Sequence, residues 1–258
     1  MPLNPNHAVV IDAYQGNGQW HPELATQRVD AFVAQANRGL HRDTEFRRSH
    51  DTCARLGIPF MAYNQYVAPV DWRLQTDILL GQVLGLDVKM LWHAYDSAGK
   101  WNSGKMNAKT ARDSFNAVQY MKAENYKVGF YGNRGDIMQL YRDVPEARQY
   151  PLWIARYPVS QWWWNNNENV QPHDAPPSWK TDIWPYKMWQ YASEKNWLGN
   201  DEGHSYGFPG SWSIDINTWN GTAADMRADL GFDQPIPVEL TDKQRLDLVY
   251  DWYKESHP

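Results

Sequence analysis

The side chains best suited to acid–base chemistry follow short apolar runs that are typical of buried strands. Asp12 ends the first apolar run of the chain, and a later run, residues 89–96, has His93 and Asp96 near its end. In a parallel barrel, a carboxylate at a strand end lies on the catalytic face. A histidine can act as an acid near neutral pH. These residues predict an acid–base site at one end of a sheet, although Asp12 could instead cap the turn that follows it.

Apolar runs alternate along the chain with segments of helical periodicity. Strands or apolar strand-like segments are predicted over residues 8–12, 29–34, 58–63, 89–96, 127–132, 152–157, 187–191 and 212–217. Helices are predicted over residues 43–56, 71–84, 107–125 and 223–230. Such alternation implies a parallel sheet, and at this length a barrel. The predicted fold class is therefore α/β, a (β/α) barrel of the TIM type.

The last predicted strand carries a third carboxylate, Asp215. The first and last strands of a closed barrel are neighbours. We therefore expect Asp12 and Asp215 to lie side by side, where they either belong to the site or hydrogen-bond to the amides at the strand ends.

The chain changes character after Gly221, which divides it into a barrel over residues 1–221 and a helical extension over residues 222–258. Residues 233–238 contain two prolines and predict a stiff connector. Thr241 and Gln244 form a capping box that predicts a final helix, which docks on its own barrel or contacts another subunit. A long loop is predicted over residues 160–185, and its three consecutive tryptophans are a sugar platform or a protein contact.

Composition excludes several classes of function. The 258 residues carry a net charge of −5 with no basic block, so nucleic acid is not an expected partner. Cys53 is the single cysteine, so no intrachain disulfide can form. No apolar run predicts a membrane span or a secretory signal, so we expect synthesis in the cytoplasm and release by lysis or in a virus particle. No phosphate loop or metal-ligand spacing is present, so no cofactor and no metal are expected.

The order of the motifs resembles glycoside hydrolase family 25, the Chalaropsis-type lysozymes that cut peptidoglycan. Residues 10–16 are similar to the family's opening strand, with its Asp and a following Gln-Gly. Residues 152–157 and 189–191 resemble two late strands, and residues 213–217 resemble the closing Val-Asp-x-Asn. The similarity runs from about residue 9 to 221 and implies a lysozyme-like barrel that engages bacterial cell-wall glycan.

The fourth strand departs from that family. The family places Asp-x-Glu there, with the Glu as proton donor and the Asp assisting the substrate's acetamido group. The simplest alignment puts His93 and Tyr95 at these two positions, and an alignment one residue further on puts Ala94 and Asp96 there. Because residues two apart share a face of a strand, neither alignment supplies two carboxylates on one face.

Three hypotheses for the function follow. The first is a glycan-binding barrel with an impaired catalytic site. Such a protein is either a component of a phage tail or a lysis protein. The second is an active muramidase with Asp96 as proton donor and Asp12 or Asp215 as its electrostatic partner. The third is a purely structural virion protein, since a fold does not fix a function.

Fifteen tryptophans favour carbohydrate, since their rings stack on sugar faces, although tryptophan also fills protein cores. We expect glycan to be bound by aromatic and amide side chains near the strand ends, namely Tyr14, Gln15, Tyr63, Tyr131, Trp153, Trp189 and Gln190.

Overall fold

The computed structural model describes residues 7–97, 105–156, 186–192, 206–209 and 214–232. The predicted Trp-rich loop, the connector at 233–238 and the final helix lie outside these residues, as do Tyr157 and residues 212–213 at the ends of two predicted strands.

Nine strands form one sheet within the described part of the chain. They are β1 Val9–Ala13, β2 Ala31–Arg38, β3 His41–Arg42, β4 Phe60–Gln65, β5 Leu91–Ala94, β6 Val128–Asn133, β7 Leu152–Ala155, β8 Met188–Ala192 and β9 Asp215–Trp219. The order is β1, β9, β8, β7, β6, β5, β4, β2, and β1 also pairs with β2, so eight strands close a barrel. The short β3 pairs only with the end of β2. The predicted barrel is confirmed.

The direction of the last strand corrects the prediction of a wholly parallel sheet. β9 runs antiparallel to both of its neighbours, β1 and β8. The N-terminal end of β9 therefore lies beside the C-terminal end of β1. Asp12 and Asp215 are register partners there, as the sequence predicted for adjacent first and last strands.

Five α-helices lie within the described residues: α1 Phe46–Leu56, α2 Trp72–Val83, α3 Ala108–Ala123, α4 Arg134–Asp143 and α5 Ala223–Leu230. The predictions missed α4, which begins directly at the end of β6. Asn133 caps it, with its Oδ1 accepting a hydrogen bond from the Asp136 N–H at 3.1 Å. Short 3₁₀ turns, and no α-helix, connect β1 to β2.

Alternate residues of each strand face two separate cores. The inner core fills the barrel and contains Trp92, Trp153 and Trp219, all buried. The outer core lies between the barrel and the helices and contains Phe32, Phe60, Leu91, Phe130 and Leu152. A Cβ at Gly129 would lie 2.4 Å from the Trp92 ring. The absence of a side chain at this position of β6 therefore leaves room for the ring in the barrel interior.

Helix α5 closes one end of the barrel. Its Met226 and Leu230 belong to the inner core together with Trp219. Residues 223–230 are thus packed against the barrel. The separate extension predicted after residue 221 stays a prediction for the chain beyond residue 232. Among the described helices, none has the length and apolar character needed to cross a bilayer.

Candidate functional site

The mouth of the barrel is organised around Gln190, which lies on β8 and faces the interior. Its Nε2 donates hydrogen bonds to Asp12 Oδ2 at 3.1 Å and to Asp215 Oδ2 at 3.2 Å. Two oxygens that share one donor in this way lie no more than about 6 Å apart. Three neighbouring strands therefore bring two carboxylates and one amide to a single point.

Further hydrogen bonds hold this group in place. Tyr131 Oη donates to Gln190 Oε1 at 2.8 Å. Asn217 Nδ2 donates to Asp12 Oδ2 at 2.7 Å and Asn217 Oδ1 accepts from Trp153 Nε1, also at 2.7 Å. Since Asp12, Gln190 and Asn217 are buried, the orientation of the two carboxylates is fixed by partners on β6, β7, β8 and β9.

Tyr63 lies beside the two carboxylates on the inner face of β4. Burial, followed by the charges of Asp12 and Asp215, raises the pKa of Tyr63 well above its ordinary value. The Tyr63 ring meets Trp153 edge-on with centroids 5.9 Å apart, and Tyr131 lies 4.4 Å from the same indole. Trp153 is therefore buried beneath the two tyrosines and packs against both of their rings.

Asp43 is a residue near the mouth that the sequence analysis missed. It was included in a predicted helix, but the helix begins three residues later. Asp43 Oδ2 accepts hydrogen bonds from the Gln15 N–H at 2.7 Å and from Gln35 Nε2 at 3.3 Å, and burial raises the pKa of this carboxyl group. Its charge also contributes to the raised pKa of Tyr63. The nearest preceding predicted strand ends at residue 34, so no signal in the sequence pointed to this carboxylate.

The loop after β1 carries two of the predicted glycan-binding residues. Gln15 is exposed, and its Oε1 accepts a hydrogen bond from the Thr44 N–H at 3.2 Å. The Tyr14 ring lies directly over Gly16, where a Cβ would approach the ring to 2.2 Å. Tyr14 and Gln15 thus stand at the rim of the mouth, and their contact with glycan stays a prediction.

The position of Trp189 corrects its predicted role. Met188 and Gln190 face the barrel interior, and the intervening Trp189 belongs to the outer core. Its Nε1 donates a hydrogen bond to the Arg156 backbone oxygen at 2.6 Å. Trp189 therefore lies on the other side of the barrel wall from the carboxylates, and it does not contribute to the mouth.

Strand β5 corrects the simplest alignment with the family's acid pair. Tyr95 belongs to the outer core, and the His93 ring lies 5.2 Å from that of Tyr66 on the same side. Burial lowers the pKa of His93 to about 3, so the ring is neutral at physiological pH. Because side chains alternate along a strand, His93 and Tyr95 point away from the mouth. Neither occupies a position from which it could protonate a substrate there.

The other alignment is the one that faces the interior. Ala94 belongs to the inner core and is 1% exposed. The Tyr95 N–H donates to the Tyr131 backbone oxygen at 3.1 Å, which extends the pairing with β6 by one residue. Asp96 follows two residues after Ala94, beyond the end of β5, and is half-buried. Its proton-donor role stays a prediction.

Solved structures with this fold include several lysozymes. A family 25 glycosyl hydrolase from Bacillus anthracis is 13% identical, with a TM-score of 0.65 over 89% of this chain and 95% of that one. The catalytic domain of endolysin ply40, from bacteriophage P40 of Listeria monocytogenes, is 18% identical, with a TM-score of 0.59 over 87% of this chain and 97% of that one.

The modular autolysin LytC from Streptococcus pneumoniae is 16% identical, with a TM-score of 0.60 over 83% of this chain. This chain spans 46% of the length of that autolysin, which has also been solved in complex with a synthetic peptidoglycan ligand. The sequence matches no family model and no curated protein. The structural matches show that the chain has the α/β-barrel fold of the family 25 lysozymes, as its order of motifs implied.

Proposed function

We propose that this protein binds the glycan strands of the bacterial cell wall in the barrel mouth and hydrolyses them slowly or not at all. The fold supports the glycan part of this proposal, since LytC, which shares it, has been solved with a synthetic peptidoglycan ligand. The catalytic part concerns the inner face of β5.

The observation that carries the catalytic part is the methyl group of Ala94. It faces the inner core and, in the alignment with Ala94 and Asp96, takes the place of the first acid of the family's pair. Glycoside cleavage needs one carboxylic acid to protonate the leaving oxygen and a second anionic group to support the oxocarbenium-like transition state. Removing one such acid–base group costs a factor of about 10² to 10⁴ in rate. In this alignment, the first acid of the pair is missing and only the candidate proton donor, Asp96, is present.

The binding part rests on the group around Gln190. Carboxylates, amides and phenols form hydrogen bonds with sugar hydroxyl groups, and aromatic rings pack against the apolar faces of sugars. Asp12, Asp215 and Tyr63 supply these chemistries at one point, and hydrogen bonds from Gln190 hold the two carboxylates in place. A site that is already ordered does not have to lose side-chain freedom when glycan binds.

Cosedimentation with purified, insoluble peptidoglycan tests the binding. We expect the unmodified protein to enter the pellet and Asp12→Asn to bind at least about fivefold more weakly, since it loses a charged hydrogen-bond acceptor. Asp77→Asn is the matched control because Asp77 is exposed on α2. Equal binding by Asp12→Asn and Asp77→Asn, or no binding at all, would contradict the proposal.

The second candidate function is an active muramidase with Asp96 as proton donor and Asp12 or Asp215 as its electrostatic partner. Support comes from the position of Asp96, half-buried two residues beyond the end of β5, and from the closeness of the other two carboxylates, which share a donor. Release of reducing sugar that disappears both in Asp96→Asn and in Asp12→Asn would favour this candidate. Release that persists in both variants would exclude it.

We also propose that the protein acts in a phage, as a tail component or as a lysis protein, or serves only as a structural virion protein. The likeness to a phage endolysin supports a phage context. Mass spectrometry of purified particles and of the particle-free lysate separates these roles: a virion protein is found in the particles, and a lysis protein is found in the lysate alone.

A further inference from the structure

A cavity of about 390 Å³ opens at the end of the barrel opposite the carboxylates. Its lining includes Val128, the first residue of β6, Pro151, just before β7, and Lys187, just before β8. The antiparallel β9 ends there with Trp219. Small-molecule sites have volumes of roughly 300–1,000 Å³. This lower cavity is thus large enough for a ligand, and the barrel core separates it from Asp12.

The lower cavity is positively charged although the protein as a whole carries a net charge of −5. Lys122, Lys127 and Lys187 line it, with Asp229 as the one lining carboxylate. Lys187 Nζ lies 2.5 Å from Asp229 Oδ2, and Lys127 Nζ donates to the Asp229 backbone oxygen at 2.7 Å. These contacts fix two ammonium groups at the rim and neutralise only one charge.

Aromatic rings lie next to the ammonium groups. Lys122 Nζ is 5.2 Å from the centroid of the Tyr150 ring, and Lys187 Nζ is 5.8 Å from that of Trp219. Tyr126, half-buried, and the apolar side chain of Leu230 complete this part of the lining. The cavity thus combines fixed cations at its rim with ring faces and apolar surface in its wall.

We propose that the lower cavity is a second binding site, which takes a phosphate or carboxylate group carried on a sugar or polyol. Lysine ammonium groups bind such anions through charge-assisted hydrogen bonds. The half-buried ring of Tyr126 offers an apolar face to the carbon skeleton of the ligand. This inference does not depend on the proposed function of the mouth, because the two sites share no residue.

Titration of the full chain by NMR tests the site with four probes. Glycerol 3-phosphate and N-acetylmuramic acid carry the two anions, and glycerol and N-acetylglucosamine are their neutral counterparts. We expect saturable shifts of the amide signals at Lys122, Lys127 and Lys187 with at least one anionic probe and not with the neutral ones. The more tightly bound anion identifies the chemical source. Absence of saturable shifts, or equal binding of the neutral probes, would overturn the proposal.

Variants then separate the lower cavity from a general charge effect. We expect the double variant Lys122→Gln, Lys127→Gln to bind the anion about tenfold more weakly, since each exposed ammonium contributes a few-fold. Lys109→Gln is the matched control, because Lys109 is an exposed lysine of α3 that pairs with Asp113. Equal weakening by Lys109→Gln would overturn the proposal.

A substitution that removes a negative charge completes the test. Asp229→Asn removes the lining carboxylate and keeps a side chain of the same size, so we expect the anion to bind about threefold more tightly. Weaker binding by this variant would count against the site. Thermal melts of each variant confirm that it is folded before affinities are compared.

Discussion

Strands β1, β8 and β9 differ from strand β5 in the side chains that they present at the barrel mouth and in how their polar groups are hydrogen-bonded. On the side formed by β1, β8 and β9, Asp12, Gln190 and Asn217 are buried and hydrogen-bonded to one another. On β5, Ala94 presents a methyl group to the interior. On the outer face of the same strand, His93 is buried, and neither of its ring nitrogens has a hydrogen-bond partner among the described residues.

We propose that this difference separates glycan binding from proton transfer. The ordered side supplies oriented carboxylates and amides, which suit the recognition of hydroxyl groups. The resemblance places the family's acids on the β5 side, where the chain has one half-buried carboxylate, Asp96, two residues beyond the strand. The proposed function assigns glycan binding to the first side and a missing acid to the second.

Restoring the acid pair should have the largest effect. We expect the double variant Ala94→Asp, Asp96→Glu to release reducing sugar from peptidoglycan at least about 10²-fold faster than the unmodified protein, because it supplies a donor and a second carboxylate. Ala94→Asn with Asp96→Glu is the control, since it has the same shape without the added charge. Equal rates in the two double variants, with both folded by circular dichroism, would show that the missing carboxylate does not limit the rate.

Breaking the ordered side should cost stability. Asn217→Ala leaves the Asp12 carboxylate, the Val10 carbonyl and the Trp153 indole N–H without this partner. We expect the free energy of unfolding to fall by about 3 kcal/mol, because three buried polar groups each lose a hydrogen bond. Asn220→Ala loses a single hydrogen bond, to the Tyr186 carbonyl, and should cost about 1 kcal/mol. Urea unfolding measures both, and similar losses would contradict the comparison.

Removing the unpartnered histidine should change how stability depends on pH. The pKa of His93 is lowered to about 3 in the folded protein, from an ordinary value of 6.5. Between these pH values the unfolded chain binds a proton that the folded chain does not, so stability falls as the pH falls through this window.

His93→Leu removes that contribution. We expect the variant to be close to the unmodified protein in stability at pH 7, and more stable at pH 4 by roughly 2–3 kcal/mol. Urea unfolding at the two pH values measures the difference. The same loss of stability on acidification in both proteins would show that His93 is protonated in the folded state.

The smallest expected effect concerns Tyr131. Its hydroxyl group donates to Gln190, so Tyr131→Phe removes this hydrogen bond from the amide oxygen. We expect glycan binding to weaken about fivefold, which corresponds to about 1 kcal/mol. Tyr120→Phe on α3 is the control, and its binding should be unchanged. Cosedimentation with peptidoglycan compares the two, and an unchanged affinity for Tyr131→Phe would remove Gln190 from the binding site.

Much of the fold could be predicted from the sequence because it depends on local patterns. Apolar runs located the barrel strands, and helical periodicity located three of the long helices. The closeness of Asp12 and Asp215 followed from closure alone. The antiparallel direction of β9 could not be predicted, because an apolar run has the same pattern in either direction. Helix α4 was missed because it starts at the end of β6, with no loop between them.

The side of the wall on which each residue lies was harder to predict. A shift of one residue in a strand moves every side chain to the opposite face. Residues 90–95 are apolar or aromatic on both faces, so the sequence could not choose between the alignment with His93 and the alignment with Ala94. The same ambiguity placed Trp189 in the mouth, whereas it packs outside. Asp43 was missed because its partner, the Gln15 N–H, is distant in the chain.

The most direct test of the account is the rate at which the unmodified protein releases reducing sugar from purified peptidoglycan, with Asp96→Asn measured in parallel. We expect peptidoglycan to carry the protein into the pellet. We also expect the unmodified protein and Asp96→Asn to release reducing sugar at indistinguishable rates. A clear rate for the unmodified protein that disappears in Asp96→Asn would contradict the claim that Ala94 has left the barrel a binder and not a catalyst.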